Sequence, residues 1–146
     1  MTVRHHIKVL VVDDDVQVCK TVGKILEEND YKVQTFTDAR QSLNAVRETP
    51  FDIGLIDIKM PDISGVQLVE QIKQEDERVA MLVMTAYPDV QSAAETMRLG
   101  ARDYITKPFN EEQLLGAVER IARELGLIYA SEQDLNRLIG QRIRRE

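Results

Sequence analysis

Apolar runs of four to eight residues recur along the chain, each followed by a polar stretch whose apolar residues fall at helical spacing. Lys8-Val9-Leu10-Val11-Val12 comes first, a β-branched run without alternation, which is the pattern of a strand buried on both faces of a parallel sheet. Val18, Val22, Ile25 and Leu26 then share a helical stripe that closes at Asn29-Asp30. Tyr31 to Phe36 reads as a second strand, and Asp38 to Glu48 as a helix carrying Leu43 and Val46 inward. Phe51 to Ile58 is the third strand, followed by Ser64, which opens a helix with Gln67 three residues on in a capping-box arrangement and with Val66, Leu68, Val69 and Ile72 as its stripe. Val79 to Met84 is the fourth strand and ends at Thr85-Ala86. Pro88 and Asp89 start the next helix, which runs through Ala93 and Met97 to Gly100, a natural residue for the turn past a helix end. Tyr87 stands where a capping side chain is preferred, so this helix start is expected to be mobile. Asp103 to Thr106 is the fifth strand, and Asn110 with Gln113 begins a fifth helix with Leu114, Val118, Ile121 and Leu125 on one stripe up to Gly126.

Five strand–helix units without an internal repeat predict an α/β fold: a doubly wound parallel sheet with right-handed crossovers and helices on both faces. The natural order for five strands is the flavodoxin-like 2-1-3-4-5. That order sets strands 1 and 3 side by side, so the acidic turn Asp13-Asp14-Asp15 and the carboxylate Asp57 meet at the carboxyl edge of the sheet. Thr85 and Lys107, at the ends of strands 4 and 5, join them on the same rim.

Composition narrows the possibilities. A length of 146 residues, 43% hydrophobic and 30% charged, fits one soluble domain with a sizeable core. The lone cysteine, Cys19, has no partner for an internal bridge and lies beside an apolar stripe, which favours a buried reduced thiol and a cytoplasmic setting. No apolar run is long enough for a membrane span. His5 and His6 lack further ligands for a metal site and are expected in a solvated N-terminal arm. A net charge of −6 argues against a surface devoted to nucleic acid, although six of the 19 basic residues fall after position 119.

Asp57 alone can be read as ordinary turn chemistry. Three consecutive carboxylates at Asp13-Asp14-Asp15 exceed what a cap requires, Asp15 being the expected N-cap, and like charges at one turn call for a cation. A hard, oxygen-rich cluster suits Mg²⁺. The Thr85 hydroxyl and Lys107 ammonium offer donors to the oxygens of a transferring phosphoryl group, leaving Asp57 as nucleophile. No Gly-rich phosphate loop follows the first strand, which disfavours a nucleotide or flavin site.

Val11-Val12-Asp13-Asp14-Asp15, Ile56-Asp57-Ile58-Lys59-Met60-Pro61 with Gly65, Thr85-Ala86 and Lys107-Pro108-Phe109 together resemble the receiver domain of two-component response regulators, over roughly residues 7 to 126. The resemblance implies that Asp57 accepts a phosphoryl group from a sensor histidine kinase or histidine phosphotransfer protein. It implies that Asp13 and Asp14 hold Mg²⁺ with Asp57 and the backbone carbonyl of Lys59. It makes Thr85 and Lys107 the phosphate-sensing pair, Thr85 and Tyr104 the switch, and Pro108 a cis proline. Such a protein modifies itself and turns over no external substrate. A constitutive interaction module of the same fold is disfavoured by the intact residue set, and an Mg²⁺-dependent phosphatase by Lys59 standing where a second aspartate would act as general acid.

Two regions are thereby expected: a receiver over 1–126, and a helical extension, linker or start of a truncated output domain over 127–146. In the second, Ser131 with Asp134 gives a helix start, and Leu135, Leu138, Ile139 and Ile143 follow at helical spacing. Residues 139–146 resemble the opening of a repressor-type helix-turn-helix, so DNA enters only through such an output domain, and a stand-alone receiver is the alternative. A homodimer through the fourth helix, fifth strand and fifth helix, or through the C-terminal helix, is the other expected association.

Overall fold

A computed structural model describes residues 3–4, 6–86 and 90–129 of the chain. Its elements are β1 (Val3–Arg4), β2 (Lys8–Val12), α1 (Val16–Glu28), β3 (Lys32–Phe36), α2 (Ala39–Glu48), β4 (Ile53–Asp57), α3 (Gly65–Glu75), β5 (Ala80–Thr85), α4 (Val90–Arg98), β6 (Asp103–Thr106), α5 (Glu111–Glu124) and β7 (Ile128–Tyr129). The five-stranded sheet has the order β3-β2-β4-β5-β6 and is parallel throughout. Counted along the chain, that is 2-1-3-4-5, the flavodoxin-like order expected from the sequence.

The unalternating strands follow from having a helical layer on each face. Val9, Val11, Ile53, Leu55, Leu82 and Met84 pack with Val22 and Leu26 of α1 and Leu114, Val118 and Ile121 of α5. Their neighbours Leu10, Val12, Ile56, Met81 and Val83 point the other way, toward Leu43 and Val46 of α2 and Leu68, Val69 and Ile72 of α3. Helix starts are capped as their sequences require: Asp15 caps α1, Ser64 with Gln67 and Asn110 with Gln113 form reciprocal boxes on α3 and α5, and Asp38 caps α2. Gly100 adopts a positive φ of 110°, reversing the chain after α4.

The structure adds three details that the sequence pattern does not carry. In the last turn of α4 the buried residue is Thr96, and Met97 is exposed, because the helix presents a polar position rather than its methionine to the core. The arm before β2 and the segment after α5 form an antiparallel ribbon, pairing Val3 with Tyr129 and Arg4 with Ile128. Gly126, with a φ of 75°, turns the chain so that Ile128 joins the core cluster containing Ile7; residues 128–129 form a short strand. Finally, Asp30 closes the turn after α1 at a φ of 70°, a conformation Asp tolerates better than most residues. The expected start of the fourth helix at Tyr87, Pro88 and Asp89 and the expected helix beginning at Ser131 lie outside the described residues.

Candidate functional site

The site forms where β2 and β4 end side by side. Val12 pairs with Ile56 in register, so the next residue of each strand, Asp13 and Asp57, emerges at the same edge. The Asp13 backbone N–H is held by the Phe36 carbonyl at 3.1 Å. Its carboxylate is wholly buried and accepts from the Asp15 N–H at 2.9 Å. Asp15 turns away to cap α1, accepting from the N–H groups of Gln17 and Val18 at 2.8 and 3.4 Å. Asp14 is exposed. The acidic triplet thus divides its work, and carboxylate oxygens of Asp13, Asp14 and Asp57 lie within 4.8 Å of one another.

Lys107 enters from the far side of the sheet. β5 and β6 pair up to Thr85 and Thr106, and the Lys107 N–H then donates to the Thr85 carbonyl at 2.7 Å. This positions the side chain over the acidic pair: Nζ lies 2.5 Å from Asp13 Oδ2 and 3.4 Å from Asp57 Oδ1. The peptide bond from Lys107 to Pro108 is cis. Thr85 is buried at the end of β5, in the strand that pairs Asp57 with Met84. Lys59 stands just past the acceptor strand, with its side chain exposed and its backbone N–H bonded to the Asp57 carboxylate.

Tyr104 is not packed against this group; it lies on edge strand β6 and remains 45% exposed.

The electrostatics show a surplus of negative charge. Burial, and next the neighbouring Asp13 carboxylate, push the Asp57 pKa up to about 6 against the opposing pull of Lys107 and the Lys59 N–H. Burial works against the Lys107 charge too, but its bonds to Asp13 and then Asp57 outweigh that, and its pKa is raised. Two buried carboxylates share one ammonium, with Asp14 beside them. Hard oxygen donors in excess of their counter-charge fit a divalent cation such as Mg²⁺, and Asp13, Asp14 and Asp57 are the residues that can hold it.

Two residues at the site carry roles that the sequence did not reveal. A Cβ at Gly65 would sit 2.2 Å from the Asp57 carbonyl oxygen, and the Gly65 N–H bonds the Ile58 carbonyl at 2.7 Å. Gly65 therefore lets the start of α3 close onto the chain at Asp57; its place in the Ser64-Gly65 helix start was the available signal. Cys19 is buried, as expected, and its thiol donates to the Asp13 carbonyl at 3.3 Å. Burial and then the Asp13 charge raise the thiol's pKa, so it stays protonated.

Beside the carboxylates, a depression of about 770 Å³ is lined by Asp14, Lys59, Met60, Gln67 and Glu95. On the other side of Lys107, a more apolar groove of about 580 Å³ lies between Val18 and Val22 of α1 and Pro108-Phe109.

The family model described as the response regulator receiver domain matches residues 9–119. The transcriptional regulatory protein ZraR of Escherichia coli is 36% identical over 115 residues, which cover 79% of this chain and 26% of that protein. The transcriptional regulatory protein FixJ of Bradyrhizobium diazoefficiens is 32% identical over 124 residues, covering 85% and 60%. The chain thus spans about a quarter of the first and three fifths of the second. Among solved structures, a CheY-like receiver domain protein from Methanospirillum hungatei superposes with a TM-score of 0.79 at 28% identity, over 82% of this chain and 96% of that one.

Proposed function

This chain belongs to the response regulator receiver domain family, and from that premise we propose that Asp57 is its phosphoryl acceptor. The observation that carries the reading is the convergence, from four separate strand ends, of Asp13, Asp57, Thr85 and Lys107 on one edge of the sheet. An Asp57 carboxylate oxygen attacks the phosphorus of a phosphohistidine on a sensor histidine kinase or histidine phosphotransfer protein. A P–O bond forms, the P–N bond breaks, and the imidazole nitrogen keeps the electron pair. Lys107, already 3.4 Å from Asp57, is placed to bond an oxygen of the incoming group, and the Thr85 hydroxyl to bond another. Mg²⁺, held by Asp13, Asp14, Asp57 and the Lys59 carbonyl, supplies charge neutralisation between acceptor and donor when bound.

The chain's own residues supply the switch as well. Charge-assisted bonds of roughly 1.5–3 kcal/mol each, made by Lys107 and Thr85 only to the modified state, approach the roughly 5.5 kcal/mol needed to invert a two-state equilibrium. Recruiting Thr85 toward the phosphoryl group opens space beside β6, into which the exposed Tyr104 ring can turn. The apolar groove between α1 and Pro108-Phe109 borders Lys107 and gives the donor protein a place to dock.

Residues 1–126 with the β1–β7 ribbon form the receiver in this reading, and the residues beyond lead to an output. Because ZraR and FixJ are transcriptional regulatory proteins of greater length, transcription is the output best supported. The test is direct: an acyl phosphate with Mg²⁺ adds one phosphoryl group by intact mass, and Asp57→Asn abolishes the addition. Undiminished modification of that variant would sink the assignment.

A further inference from the structure

β2 and α5 are fastened to each other at both ends. At the carboxyl edge of the sheet β2 ends at Val12, and the next residue, Asp13, holds the ammonium of Lys107, which stands three residues before the α5 cap Asn110. At the amino edge, the arm that leads into β2 pairs with the strand that leaves α5, Arg4 with Ile128 and Val3 with Tyr129. Between these ends Val9 and Val11 of β2 share one apolar cluster with Leu114, Val118 and Ile121 of α5. α5 has 14 residues, about 21 Å of helix, and a rigid element of that length carries a displacement at its start to its end.

The fastening at the amino edge is conditional. A two-stranded ribbon is marginal by itself in water, and this one has two residues in each strand. It stands because both strands run on into the core. Ile7 and Ile128 are buried in the same cluster, the Lys32 N–H bonds the Ile7 carbonyl at 2.9 Å, and the Leu127 N–H bonds the Ala122 carbonyl at 2.9 Å across the turn at Gly126. The pairing therefore depends on where the end of α5 lies relative to the start of β2. An element held by so few bonds opens readily, and a small shift of α5 suffices to bias it.

We propose that the β1–β7 ribbon is a clasp coupled to the Asp13–Lys107 pair: drawing Lys107 from Asp13 toward a phosphoryl group on Asp57 shifts α5 against β2 and opens the ribbon, from which the chain continues at Tyr129. The phosphoryl half of this inference rests on Asp57 being the acceptor, whereas the coupling of the two fastenings does not. Linkage is reciprocal, so a closed ribbon weakens, by the same factor, the binding of whatever draws Lys107 away.

Amide hydrogen exchange of the full chain in Mg²⁺, with and without the beryllium trifluoride anion as a phosphoryl mimic that cannot be transferred, tests this. Exchange at residues 3–4 and 128–129 should be roughly tenfold faster with the mimic, while Leu55 and Leu82 in the sheet stay as they were. Val3→Pro with Arg4→Pro, which removes both backbone donors of β1, should lower the mimic concentration for half-saturation by the same factor. Unchanged ribbon exchange with the mimic bound, or unchanged mimic binding in the double-proline variant, would overturn the proposal. If wild type takes up no mimic, it is the assignment of Asp57 that fails, and the Lys107 ammonium NMR signal decides the coupling alone. A signal displaced in the double-proline variant supports the clasp, and one left in place overturns it.

Discussion

The ammonium of Lys107 lies 2.5 Å from the carboxylate of Asp13, across 94 positions of sequence, and closes the edge of the sheet with an ion pair whose acidic partner is fully buried. Asp57, at 3.4 Å, takes the weaker share of the same cation. Lys107 is thus a structural counter-ion before it is anything else, because it is the charge that makes the burial of Asp13 tolerable.

Lys107→Met should therefore destabilise the fold, not merely alter its chemistry. Leaving a buried carboxylate unpaired costs about 3–5 kcal/mol, and the 19% exposure of the Lys107 side chain places this case near the low end, about 3 kcal/mol. Because the raised Lys107 pKa keeps the pair intact through neutral pH, urea melts at pH 7 in a chelator should show the loss. Added Mg²⁺ should recover part of it by supplying another counter-charge. A variant as stable as wild type in the chelator would show that Asp13 does not depend on the lysine.

Asp57 predicts a pH signature of the opposite kind. Its folded pKa of about 6 exceeds the ordinary aspartate value of 3.8, so the folded state binds the proton more tightly than the unfolded one. The stability contributed by that proton is present below about pH 4 and lost as pH rises through 6. At pH 7 and above the ionised group is a burden of roughly 3 kcal/mol, because each pH unit separating the folded and unfolded pKa values is worth about 1.4 kcal/mol. Asp57→Asn should thus raise the melting temperature at pH 7.5 in a chelator by several degrees, and the gain should shrink toward pH 4. A gain independent of pH would point to packing instead.

The sheet order and the meeting of Asp13, Asp57, Thr85 and Lys107 were legible in the sequence, because strand ends are marked by punctuation and topology does the rest. Buried strands announce themselves through Val9 to Val12 and Ala80 to Met84, and caps through Asp15, Ser64 and Asn110. The division of labour within the acidic triplet could be anticipated only for Asp15; which of the other two is buried depends on side-chain direction at the strand end. The β1–β7 ribbon was not legible, since two-residue strands carry no period. The role of Gly65 depends on a contact with the Asp57 carbonyl, eight residues back, that no local pattern encodes. That Thr96 rather than Met97 is buried in the last turn of α4 was not legible, since a four-residue periodicity does not say which of two neighbouring positions faces the core.

Gly65→Ala should be severe for its size. The new methyl would lie 2.2 Å from the Asp57 carbonyl oxygen and 2.5 Å from the Ile58 Cα, both backbone atoms that cannot swing aside. Either α3 shifts outward or the strand end carrying Asp57 moves, and overpacking of this kind costs about 1–3 kcal/mol or more. The measurement is a paired one: lower stability in urea, and slower phosphoryl transfer from a small donor, since the acceptor's position is disturbed with the backbone. Wild-type transfer rates in Gly65→Ala would mean that the close approach is dispensable for the site.

The contrast between Asp13 and Asp14 gives the sharpest test of the cation. Asp14 is exposed, where substitutions disturb the fold little, so Asp14→Asn should change stability in a chelator by less than about 0.5 kcal/mol. Its oxygen nevertheless lies within 4.8 Å of the Asp13 and Asp57 oxygens, so the same change removes one of three donors. A ligand that binds only the folded state stabilises by RT ln(1 + [L]/Kd), about 2.7 kcal/mol at a hundred times Kd, which for a chain of this size is a rise of roughly 5–10 °C in melting temperature. Wild type should show such a rise with saturating Mg²⁺, and Asp14→Asn should need a much higher concentration to reach it. Asp13→Asn should behave differently, losing the Lys107 ion pair and the cation together, so that its chelator baseline falls as well. A full Mg²⁺ shift at unchanged concentration in Asp14→Asn would remove that residue from the cation site and leave Asp13 and Asp57 as its only carboxylate ligands among the three.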